Sequence, residues 1–214
     1  MIDRVDPVTT PSHPEATNWN IANLLTGVRL LLVPLFGWLL LHEDGRSDAW
    51  RGAAAAVFVI AGLTDRFDGE LARRRNLVTD LGKIADPIAD KALTGTALVG
   101  LSVLGLLPWW VTALVLVREI GITVLRFVVI RHAVMPAGRG GKVKTALQAL
   151  AITLYVLPLP GGWHLIAVLA MGAAVALTLV TGADYLAKAG RLVATSQRTR
   201  DRRDARRGRR DERA

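Results

Sequence analysis

Apolar positions along the chain fall into blocks of helical length separated by short polar breaks. The first block covers 24–41, with Arg29 near one end and Pro34 inside it. Proline removes a backbone donor, so a kink is expected there. A polar break at 42–51 leads to a second helix that starts near Gly52, is almost unbroken in apolar residues over 53–63, and carries on into a charged stretch beginning at Asp65. A third helix is expected over 82–107, long enough that its first turns stand outside the hydrocarbon. Pro108 suits the first turn of a fourth helix reaching Ile130. The residues 131–141 read as a basic loop with glycine and proline, 143–157 as a fifth apolar helix, and 163–181 as a sixth. Blocks of this length match the ~20 residues that cross a bilayer. The pattern therefore predicts an all-α, polytopic membrane protein with six transmembrane helices.

Composition agrees with that reading. Of 214 residues 51% are hydrophobic and the mean hydropathy is +0.34, more apolar surface than a soluble domain of this length needs. There is no cysteine, so disulfide and thiol chemistry are excluded. Residues 1–18 are polar and carry Pro7, Pro11 and Pro14, which predicts a disordered lead; no basic n-region precedes an apolar core, so no cleaved signal peptide is expected. The membrane domain is expected over 19–187, and 188–214 is read as a disordered basic tail. That tail has eleven basic and four acidic residues and supplies most of the net charge of +9. With six spans, the tail, the N-terminus, the Asp65 stretch and the 131–141 loop share one side, while the other holds only Arg46 and Arg51. The positive-inside rule then puts both termini and the Asp65 stretch in the cytoplasm, on a plasma or inner membrane. The tail either touches anionic lipid, each basic side chain contributing about 1 kcal/mol near the surface, or merely anchors the topology. Nucleic acid is not an expected partner, because no aromatic platform accompanies the basic residues.

The chemistry concentrates in 65–90, where four carboxylates meet the ends of two apolar helices. Carboxylates at the edge of lipid are costly and need cations, water or a function. Asp65, Asp68, Gly69 and Ala72 share one helical face, as do Gly82, Asp86 and Asp90 on the next helix. A short connection would make the two helices antiparallel and let the acidic faces oppose each other. Hard divalent cations take oxygen ligands, and two such ions about 4 Å apart can clamp the entering and leaving oxygens of a phosphoryl displacement. Gly69 and Gly82 leave room for a large ligand. The alternative is a solvated loop, since 65–91 holds six acids and six bases. Arg118, Glu119 and Arg126 form a second charged island inside an apolar helix, with Arg139, Lys142 and Lys144 at the start of the next. They read either as an anion site or as internal ion pairs. Asn23 and Thr26 read as helix caps or as nucleotide contacts.

Taken whole, the string D65-x2-D68-G69-x2-A72-R73-x8-G82-x3-D86-x3-D90 resembles the signature of the CDP-alcohol phosphotransferase family, with every fixed position filled. The resemblance extends from Trp19 to Tyr185 through the strings at 20–29, 64–74, 86–91, 118–120 and 141–145. These flanking strings are most similar to the branch that passes a phosphatidyl group from CDP-diacylglycerol to sn-glycerol 3-phosphate and releases CMP. Branches that use phosphatidylglycerol, inositol phosphate or serine are the rivals. The resemblance implies two divalent cations, Mg²⁺ or Mn²⁺, held by Asp65, Asp68, Asp86 and Asp90, with Asp90 also the general base. It implies a cytidine pocket at Gly69, Ala72 and Gly82, with Arg73 on the phosphates and Thr79 nearby. Arg118, Arg126 and Lys142 become candidates for the acceptor phosphate, and a homodimer is implied. A transporter with intramembrane carboxylates is the reading from another class. It wants charges near the midplane and broken helices, whereas these aspartates sit at helix ends.

Overall fold

Each apolar block folds as one helix. The computed structural model describes the backbone of residues 21–74, 80–130 and 139–211, and the side chains of 24–64, 88–124, 141 and 143–187. The helices are α1 (Ile21–Leu41), α2 (Asp48–Arg74), α3 (Asp80–Val103), α4 (Trp109–Ile130), α5 (Arg139–Val156) and α6 (Gly162–Asp211). A 3-10 turn, His42–Gly45, joins the first two. The chain is thus all-α among the described residues, and α2 does carry into the charged stretch. The lead at 1–18 and the loop at 131–138 lie outside the described residues.

Two of these helices, at Leu24–Gly45 and Gly162–Ala187, are long and apolar enough to cross a membrane. Apolar side chains face outward on these two and on α4 as well: Leu31 on α1 is 73% exposed, Val180 on α6 66% and Val117 on α4 72%. Pro34 lies inside α1, which remains a single helix across it. Beyond 187, where composition predicts disorder, α6 stays helical to Asp211. Arginine dominates that stretch and no proline or β-branched run interrupts it, so local propensity favours helix even without a face to bury.

The helices pack around α1, which lies against both α2 and α3, while α6 packs on α5 and α4. Small residues let the backbones approach, as membrane helices require. A Cβ at Gly100 on α3 would stand 2.7 Å from Leu40, and one at Gly37 3.0 Å from Thr96. Phe36 meets Phe58 at a ring separation of 5.5 Å. Leu40, Leu98, Leu101, Ile152 and Val156 complete the buried centre. Between α3 and α4 the buried hydroxyls of Ser102 and Thr112 bond at 2.7 Å, and Thr112 also donates to the Leu98 carbonyl.

One end of the bundle is tied by its turns. α3 closes with a left-handed Gly105 (φ 70). Leu106 N–H then bonds Leu101 O, and Gly105 N–H bonds Ser102 O. Two such bonds satisfy the carbonyls that a helix end leaves open. In the 3-10 turn, Glu43, Asp44 and Gly45 are all left-handed, and a Cβ on Gly45 would meet Leu104 at 2.6 Å. Arg51, in the first turn of α2, donates to the carbonyls of Tyr155 (2.7 Å), Val156 (3.1 Å) and Leu157 (3.3 Å) at the end of α5. Trp50 meets Trp38 and His42 edge to face at the same end, and those two rings are tilted against each other. The charged stretch is at the opposite end.

Candidate active site

At that opposite end α2 delivers Asp65 and Asp68 in its last turns, and α3 delivers Asp86 and Asp90 in its first. The helical spacing of three and four residues keeps each pair on one face. Only Asp90 has a described side chain; those of Asp65, Asp68, Asp86, Gly69, Ala72, Arg73 and Gly82 lie outside the described residues, and so does Thr79 altogether. Asp90 is exposed at the helix surface. The charges acting on its carboxylate are Lys91, Glu119, Arg29 and Lys144. Asp90 is an oxygen donor of the kind hard divalent ions take, and the cations about it suit the anionic ligand that such ions would carry. No group of three metal-ligating side chains occurs among the described residues.

Glu119 on α4 is the hub of the second cluster. Its Oε2 accepts from Lys91 Nζ of α3 at 3.2 Å, and its Oε1 from Arg118 Nη1 at 3.1 Å. Lys144 Nζ of α5 also donates to Oε1. Arg118 reaches on to α6, donating from Nη2 to Thr181 Oγ1 at 2.8 Å, and its stem lies against Gly182. Three helices thus meet at one carboxylate, and a fourth, α6, joins through Arg118. All three cations are largely shielded, Lys144 most of all, with 7% of its side chain exposed.

Of the residues expected to hold the acceptor phosphate, Arg118 is in this cluster; the side chains of Arg126 and Lys142 lie outside the described residues. Thr26 is buried inside α1, five residues past its first described position, so it is not a cap. Asn23 too falls within α1, and its side chain is outside the described residues. The sequence pattern singled out neither Lys91 nor Arg29 as a site residue. Arg29 is only 1% exposed and acts on Asp90 from α1. A fully charged residue three positions after Thr26, on the same face of an apolar span, is the signal that marks it.

The chain belongs to the CDP-alcohol phosphatidyltransferase family, whose pattern matches residues 19–180. Among curated relatives, it is 55% identical over 170 residues to a probable phosphatidylglycerophosphate synthase of Mycobacterium tuberculosis, covering 79% of this chain and 81% of the other. It is 36% identical over 191 residues to the CDP-diacylglycerol–glycerol-3-phosphate 3-phosphatidyltransferase of Bacillus subtilis, covering 83% and 99%. A CMP-forming cardiolipin synthase of Streptomyces coelicolor is 37% identical over 148 residues, 67% of each chain.

Proposed function

We propose that this chain transfers a phosphatidyl group from CDP-diacylglycerol to sn-glycerol 3-phosphate, giving phosphatidylglycerol phosphate and CMP. The 55% identity to the mycobacterial relative carries the reading. The Glu119 cluster favours it over the cardiolipin alternative. Three cations on one carboxylate leave a surplus of two positive charges, which suits a phosphate monoester of about −2 better than the single charge of a phosphodiester.

Asp65, Asp68, Asp86 and Asp90 would hold two divalent cations, Mg²⁺ or Mn²⁺, which when bound neutralise the donor pyrophosphate and the developing charge. Gly69, Ala72 and Gly82 leave space for the cytidine, Arg73 pairs with its phosphates, and Thr79, Asn23 and Thr26 lie on the nucleotide side. Arg118, Arg126 and Lys142 orient the acceptor by its phosphate. Its hydroxyl oxygen attacks the β-phosphorus that carries diacylglycerol, the bond from that phosphorus to the CMP oxygen breaks, and Asp90 accepts the hydroxyl proton. The membrane domain at 19–187 crosses a plasma or inner membrane six times, with both termini and the motif in the cytoplasm. It works as a homodimer, with the basic extension from 188 on anionic lipid.

An acceptor panel tests the reading: labelled CDP-diacylglycerol and Mg²⁺ with glycerol 3-phosphate, phosphatidylglycerol, inositol phosphate or serine. Labelled phosphatidylglycerol phosphate from the first alone is expected. Cardiolipin from the second would overturn the assignment.

A further inference from the structure

The cluster around Glu119 is unusual in its balance. Three shielded cations from three helices converge on a single acid, and Arg118 and Lys144 share the same oxygen of it. Without Glu119 those cations would repel one another in a poorly solvated place, which is strongly unfavourable. With it they stay together but are not fully satisfied. Among the described residues, Lys91 and Lys144 each use one ammonium hydrogen, and Arg118 Nε is shielded from solvent without an acceptor. Spare donors on cations that water reaches only in part draw a further anion.

We infer that Glu119 is a positioning residue: it gathers Lys91, Arg118 and Lys144 into one preformed anion site whose surplus charge and spare donors receive the acceptor phosphate. Lys91 ties this site to the catalytic end, because it follows Asp90 directly on α3. One carboxylate therefore sets the spacing between the bound phosphate and the base. The phosphate's identity as the acceptor's rests on the function proposed above; the anion site itself does not.

The Glu119→Gln variant separates the contacts. A carboxamide oxygen can still accept from Arg118 and Lys144, but its NH₂ opposes the ammonium of Lys91, donor against donor. Glu119→Asp keeps the charge with a shorter reach. Inorganic phosphate titrated against thermal unfolding of the purified full chain, without added divalent metal, is expected to stabilise wild type. Glu119→Gln raises the surplus charge by one, so bare charge would tighten phosphate binding. Because Lys91 loses its partner and its place, the apparent affinity is expected to fall about tenfold instead, and less in Glu119→Asp. Tighter binding in Glu119→Gln overturns the inference. In turnover, Glu119→Gln should raise the KM for glycerol 3-phosphate about tenfold while the KM for CDP-diacylglycerol stays within about twofold. Unchanged phosphate affinity, or equal losses for donor and acceptor, overturns the inference. If Glu119→Gln does not fold, Glu119→Asp decides on the same two measurements. Glu119-dependent phosphate binding in a wild type that transfers nothing to glycerol 3-phosphate would sink the proposed acceptor and leave the anion site standing.

Discussion

Asp90 is the one motif aspartate whose side chain is described. Among the described residues its surroundings carry three cations and one further acid, and Lys91 beside it is held by Glu119. Asp90→Asn is expected to keep CDP-diacylglycerol binding and lose kcat, with acceptor KM little changed; a mutant with substantial turnover would remove Asp90 as the base. Asp65→Asn or Asp86→Asn should abolish turnover and metal binding together, and a chelator should stop wild type, each read by labelled lipid formed. Arg118→Ala should raise the acceptor KM tenfold or more, a charge-assisted contact being worth about 1.5–3 kcal/mol. The placement of the four acids, two toward the end of α2 and two toward the start of α3, was legible because it follows local helical periodicity. The hub was legible only in part. Arg118 and Glu119 stand out as charges in an apolar helix, but the cations that complete the cluster lie 28 and 25 residues from Glu119. No local pattern encodes a partner that far away. Arg29 was overlooked for a similar reason, since its buried position depends on how α1 packs.

At the scale of elements, hydropathy located five helices within a few residues and the sixth at its start but not at its end, because an apolar stripe of that length has few other ways to hide its backbone from lipid. Their ends depended on other chemistry. Gly105 stops α3 at Val103, short of where the apolar run gives out. Gly105→Ala is expected to cost about 1 kcal/mol through the left-handed backbone alone, visible as a lower Tm. Arg51 was read only as one of two basic residues on its side, yet it caps α5 across the bundle. Arg51→Met, which keeps the apolar stem, should destabilise by about 1–3 kcal/mol in thermal unfolding while leaving both substrate KM values near wild type. A change in KM would mean that the cap shapes the site as well.

For the whole molecule, orientation is the property to measure, and a chain without cysteine makes it accessible. Single cysteines at Arg75 and Ser47 should react with an impermeant thiol reagent from opposite sides, Ser47→Cys from outside intact cells and Arg75→Cys only after lysis. Removing 188–214 should leave turnover in detergent nearly unchanged and weaken association with anionic vesicles. The tied end has a mechanical implication. Arg51 straps α2 to α5, and Gly45 locks against Leu104, both far from the aspartates. A bundle fastened at one end has its freedom at the other, as in a pair of tweezers. The donor brings two acyl chains that must come in sideways from the bilayer, so the gap it needs is expected at the tips of the other end. Paired spin labels at the tips of α2 and α5 should show a broader distance distribution than a pair beside Arg51, and donor should narrow only the first.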